Sequence, residues 1–136
     1  MIYEFEVPGK IIGKGRPRLN SYTGMVYTPT KTKDYETLIE QYFLLKYPKF
    51  KELEGRIKVN IIAYFPIPKS TKKAEIEEML KNNISPTKKP DIDNIVKSIL
   101  DSMNKFAFKD DNQITKLEVE KKYSEKERVY IKIEEY

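Results

Sequence analysis

Residues 57–65 read IKVNIIAYF, and no other stretch limits the fold as much. Ile57, Val59, Ile61, Ala63 and Phe65 share one side of an extended chain, and Ile62 and Tyr64 add apolar groups to the other beside Lys58 and Asn60. A strand this apolar on both faces belongs in the middle of a sheet. Pro66 and Pro68 stop it, because proline donates nothing to a ladder.

The sheet needs further strands. Ile2 to Val7 alternates and is closed by Pro8-Gly9, and residues 115–119 and 129–133 alternate again. With Ser124-Glu125-Lys126 between them, the last two predict an antiparallel hairpin with one wet face. Helical spacing marks three other segments. Thr32 is placed to cap a helix running to about Tyr47, in which Tyr35, Leu38, Ile39, Tyr42 and Leu45 recur on one side before Pro48. Ser70 or Thr71 opens a short helix carrying Ile76, Met79 and Leu80. Asp91 to Asn104 is the clearest, with Ile92, Ile95, Val96, Ile99, Leu100 and Met103 forming one apolar stripe. At 136 residues with 39% of them apolar, the chain suits one core. No apolar run approaches the ~20 residues of a spanning helix, and the start, MIYEFEV, lacks the basic-then-apolar order of a secretion signal. The expected product is soluble and cytoplasmic.

The chain has no Cys and no His. Thiolate and imidazole metal sites, Ser-His-Asp and Cys-His nucleophiles, and histidine bases are therefore excluded. Carboxylate, Lys, Tyr and Arg chemistry remains. Lys and Arg exceed Asp and Glu by 26 − 21 = +5, which favours polyanionic partners. The excess is local: residues 8–33 hold Lys10, Lys14, Arg16, Arg18, Lys31 and Lys33 with no acid, and Ser21-Tyr22-Thr23-Gly24 supplies a turn among them.

The carboxylates gather in KPDIDNIVK, residues 89–97. Inside a helix Asp91 and Asp93 would diverge by about 200°. If Asp91 precedes the helix and Asp93 lies in its first turn, the two can converge on a divalent cation. The competing structural reading makes Asp91 an N-cap and Asp93 a residue favoured by the helix dipole. Lys97 is one turn beyond Asp93 and Asp101 one turn beyond Lys97. Lys97 is either half of a surface ion pair with Asp93 or a charge offered to a phosphate under attack; Asp101 suits a supporting place or a solvated face. Of Asp110-Asp111, adjacent on extended chain, only one readily joins a site, and the pair alone reads equally as a polar turn. A three-carboxylate cluster would repel itself, and Mg²⁺ or Mn²⁺ would relieve that repulsion.

KPDIDNIVKSILDSMN followed by FKDDNQI resembles the RusA family of Holliday junction resolvases, whose pattern is a D-x-D-N-x-x-K helix start and a later D-D-x-Q-[VI]. GKGRPRLN, GMVYTP and a helix beginning near Lys31 resemble its basic N-terminal half. The resemblance implies a single α/β (α+β) domain over residues 1–136, a small mixed sheet packed by helices. It implies a Mg²⁺-dependent endodeoxyribonuclease, with Mn²⁺ as a substitute, that acts as a homodimer on four-way junction DNA in recombination and repair and associates with the nucleoid when bound. The family's carboxylates match Asp91, Asp93 and Asp111 as metal ligands and catalytic groups, and its helix lysine matches Lys97.

Lys14, Arg16 and Arg18 are the leading phosphate contacts, and Lys69, Lys72, Lys73, Lys88 and Lys89 would extend that surface toward the carboxylates; each reads equally as solubilising charge. Tyr22 and Tyr27 suit a wedge at a junction centre or plain packing. Strands 57–65 and 114–123, or the helix face near Leu38, would supply a dimer surface. Two other functions compete: a nucleic-acid-binding module without catalysis, and a metal-dependent phosphoesterase acting on small substrates.

Overall fold

A computed structural model describes residues 1–136. The mixed sheet comprises β1 (Ile2–Pro8), β4 (Ile57–Pro66), β5 (Ile114–Ser124) and β6 (Arg128–Glu135), in the order β1-β6-β4-β5. Two short strands, β2 (Arg18–Leu19) and β3 (Val26–Tyr27), form a separate hairpin. The helices are α1 (Thr30–Lys46), α2 (Lys73–Leu80) and α3 (Ile92–Met103). This is the expected α+β architecture.

β4 lies between two partners, as its apolar faces require. It runs antiparallel to β6, from Ile57 opposite Glu135 to Tyr64 opposite Arg128, and parallel to β5, ending with Pro66 opposite Ser124. The expected hairpin of β5 and β6 is therefore absent: β4 is inserted between them, and residues 125–127 arch over its end. The reason lies in β4 itself. Every second residue from Ile57 to Phe65 is almost fully buried, so this strand takes the interior position, while β5, exposed over most of its first half, takes the edge. A parallel pair needs a long crossover, and α2 and α3 provide it.

One face of the sheet carries the core. Tyr3, Phe5 and Val7 of β1 and Val129, Ile131 and Ile133 of β6 join the buried side of β4, and Tyr35, Ile39 and Phe43 of α1 and Ile95, Ile99 and Met103 of α3 belong to the same cluster. Phe43 meets Tyr3, Phe5, Phe50 and Phe106 edge-on at 5.0–5.8 Å between ring centroids. The other face is half-wet, with Arg128 over the Tyr64 ring and paired to Glu6 at 2.6 Å.

Two helix starts differ from expectation. α1 begins at Thr30 after Pro29, and Thr32, expected as its cap, is buried within the first turn, where its Oγ1 accepts the Gly15 N–H at 2.9 Å. α2 begins at Lys73 because Thr71 is held in a turn by its hydroxyl donating to Pro68 O at 2.7 Å.

Candidate active site

The start of α3 is set by a change of backbone conformation. Asp91 follows Pro90 in extended geometry, φ −75° and ψ 161°, and Asp93 falls in the first helical turn. Asp91 does not cap: its side chain accepts none of the helix N–H groups and instead accepts the Asn94 Nδ2–H at 2.6 Å. Lys97 is exposed and makes no ion pair, so the surface pair with Asp93 is not formed. Both side chains are thus left without the structural employment that competed for them.

The stripe on α3 divides. Ile95, Ile99 and Met103 enter the core, whereas Ile92, Val96 and Leu100 turn toward Leu117 and Val119 of edge strand β5. Between them lies a groove of about 460 Å³ whose polar lining is Asp93, Lys97, Asp101 and Asp111. A stripe broad enough to serve two surfaces looks from sequence like one broad core face.

Asp111 reaches this groove because its neighbour is occupied elsewhere. Asp110 caps a 3₁₀ turn over Asp111–Gln113: its Oδ1 accepts the Asn112 N–H at 3.0 Å, and its own N–H donates to Gln113 Oε1 at 3.0 Å. Gln113 Nε2 then ties the turn to Leu53 O and Gly55 O at 3.2 and 3.0 Å. The Asn112 backbone bond lowers the pKa of Asp110. Hydrogen bonding to Asp110, partial desolvation and the like charges of Asp110 and Asp101 raise that of Asp111.

The donor set is right in kind for a hard divalent ion. Asp93, Asp101 and Asp111 bring only carboxylate oxygens to the groove. Asp91 stands at the helix start beside this lining, and no three carboxylates are drawn close enough together to hold one ion.

A strap formed by residues 11–15 fixes the helix start from behind. Ser98 Oγ donates to Ile12 O at 3.0 Å, Lys14 N–H donates to Asn94 O at 2.9 Å, and Gly13 lies against Pro90 and Asn94. A Cβ on Gly13 would stand 2.8 Å from Pro90 Cβ and 3.1 Å from Asn94 Cβ, neither of them the free end of a flexible chain. Gly13→Ala should therefore cost about 1–3 kcal/mol of stability, read as a lower urea midpoint with unchanged slope. An unchanged midpoint would mean that the strap yields without disturbing α3.

The basic residues separate into two kinds. Arg16, Arg18, Lys69, Lys72, Lys73, Lys88 and Lys89 are exposed and form no ion pair. Lys14, grouped with them by sequence, is mostly covered, and its ammonium lies 2.9 Å from Glu36 and 3.0 Å from Asp101. Burial alone would lower its pKa; the hydrogen bonds and charges of Glu36 and Asp101 outweigh this and raise it. Tyr22 is 97% exposed at the tip of the β2–β3 hairpin and Tyr27 46% exposed. Asn94 enters the sequence pattern only as the N of D-x-D-N, and Glu36 and Gly13 stand outside it. For Gly13 the available signal was the pair of glycines flanking Lys14.

Comparison with known proteins agrees over nearly the whole chain. The family model for endodeoxyribonuclease RusA matches residues 8–134. The uncharacterized protein YqaN of Bacillus subtilis (strain 168) is 35% identical over 139 residues, spanning 97% of this chain and 95% of that protein.

Proposed function

Since the chain belongs to the RusA endodeoxyribonuclease family, we propose that it is a Mg²⁺-dependent nuclease that resolves four-way DNA junctions by paired symmetric nicks, with Mn²⁺ able to substitute. The groove between α3 and β5 carries this reading, because it gathers Asp93, Lys97, Asp101 and Asp111 on a chain where Arg16, Arg18, Lys69, Lys72, Lys73, Lys88 and Lys89 stand exposed and unpaired.

Asp91, Asp93 and Asp111, though not gathered closely enough to hold an ion as they stand, are the carboxylates that would carry the cation, which when bound supplies an acidified water and positive charge against the phosphorane. Asn94 orients the Asp91 carboxylate through its 2.6 Å bond. Lys97, with no carboxylate partner, offers its ammonium to the non-bridging oxygens of the scissile phosphate as their charge grows. Arg16 and Arg18, with Lys69, Lys72, Lys73, Lys88 and Lys89, hold the flanking phosphates. Two nicks related by two-fold symmetry are made most simply by two copies of one groove, so the working unit is a homodimer. β4, enclosed by β5 and β6, has no free edge to offer a second copy; the edge of β5 and the α1 face with Leu45, 76% exposed, do.

The test is cleavage of a labelled four-way junction beside a matched linear duplex, with Mg²⁺ or EDTA. Paired nicks confined to junction and Mg²⁺ are expected. Equal cutting of duplex would remove the junction preference, and cutting in EDTA would remove the metal. Salt-sensitive binding without cleavage would favour the non-catalytic module, and turnover of small phosphoesters alone the phosphoesterase.

A further inference from the structure

None of the apolar side chains of the β2–β3 hairpin is buried. Leu19 is 65% exposed, Tyr22 97%, Met25 68% and Val26 67%, and Tyr27 is exposed as well. Leu19 pairs with Val26 and Arg18 with Tyr27, so the two pairs face opposite sides of the ribbon and both sides stand open to solvent. The turn between the strands is nonetheless fully built. Asn20 Oδ1 accepts the Tyr22 and Thr23 N–H groups at 2.9 and 3.2 Å, Asn20 N–H donates to Met25 O and Gly24 N–H to Asn20 O, each at 2.8 Å, and Gly24 takes a φ of +70°. The hairpin is also rooted: Lys14 N–H is bound to Asn94 O of α3 and Gly15 N–H to the buried Thr32 hydroxyl of α1, each at 2.9 Å, and beyond Tyr27 the chain enters α1 through Pro29. Tyr22 thus stands at the end of a braced arm that starts from the helix carrying Asp93 and Lys97.

We propose that this hairpin is a specificity device that reads the branch point of the DNA: Tyr22 enters where the base stack is interrupted and lies on an uncovered base, while Arg16 and Arg18 at its root hold the neighbouring phosphates. The inference rests on the junction-binding half of the proposed function and not on its metal chemistry. Charge selects the occupant. Residues 8–33 carry six basic side chains and no acidic one, so two such hairpins packed on each other would bring like charges together without relief. A DNA branch point offers what the patch lacks on both counts, phosphates for the guanidinium groups and bare π faces for an aromatic ring. An intact duplex keeps its bases stacked, and opening one costs a few kcal/mol per step, so the same ring discriminates against it.

The test is binding of the whole protein, in EDTA, to a four-way junction carrying 2-aminopurine at the branch point and to a linear duplex carrying the same base. Wild type should bind the junction more tightly and change the fluorescence of the junction base alone. Tyr22→Ala should lose most of that change and bind the junction about tenfold more weakly, the worth of one stacked base, with duplex binding within about twofold. Tyr22→Phe should keep both, since stacking uses the ring and not the hydroxyl. Melting temperature should not move in either variant, because the side chain lies in solvent. A fluorescence change that survives Tyr22→Ala, or an equal loss on junction and duplex, would overturn the proposal. So would a change of oligomeric state in Tyr22→Ala without DNA, which would make a second copy the occupant. Wild type that binds junction and duplex alike removes the junction reading and this inference with it. Wild type that passes every binding test and fails to cut with Mg²⁺ removes the nuclease reading and leaves the wedge supported.

Discussion

Asp93→Asn is expected to slow single-turnover junction cleavage about 10³-fold, roughly 4 kcal/mol in the barrier, while junction binding stays within about threefold. The amide preserves shape and removes the charge. The Asp93 carboxylate is exposed in the first turn of α3 and takes part in no ion pair, so nothing in the fold depends on it. Loss of rate without loss of melting temperature separates a chemical role from a structural one. The internal contrast is Asp110→Asn, which keeps an oxygen to accept the Asn112 N–H and should cut within about fivefold of wild type. Wild-type cutting by Asp93→Asn, or an equal collapse in Asp110→Asn, would dismantle the assigned site.

Lys97→Ala comes second, with kcat lowered about 10²-fold and KM nearly unchanged, the size expected when one charge that serves mainly the transition state is removed. Its ammonium has no carboxylate partner and lies on the exposed face of α3, and alanine suits a helix, so stability should hold or rise slightly. Quench-flow cleavage and filter binding on one junction distinguish the outcomes. A higher Kd at an unchanged rate would move Lys97 into the group that only holds phosphates.

Elements with strong periodicity were legible from sequence. β4, α3 and β1 stand within a residue or two of where alternation and helical spacing put them. Pairing was not legible in the same way. The wet alternation of residues 115–119 and the turn residues before Val129 describe a hairpin as well as they describe two strands separated by a third. Only the burial demanded by β4 decides between these, and that demand belongs to a different part of the chain. Thr32 shows the same limit at one residue: a hydroxyl able to cap α1 is used to hold Gly15 across a long loop.

At the site, sequence named the carboxylates and Lys97, and the fold disposes Asp93, Lys97 and Asp111 about one groove with Asp91 at its margin. Composition could not show which of two adjacent acids is a cap, since that depends on Asn112 and Gln113 closing around Asp110. Nor could it show that one lysine of a basic run turns inward. Lys14 lies between two glycines, one of which packs against Pro90 and Asn94 closely enough to leave no room for a methyl group.

β1 and β4 never touch; they are joined edge to edge only by β6. On the ribosome, more than a hundred residues, including the whole acidic groove, emerge before the strand that ties the sheet together. A nascent chain, or one cut short before Arg128, has every residue assigned to cutting DNA but lacks the strand that joins β1 to β4. Joining the two parts of the sheet thus falls to the last strand made, which lies between both of its partners.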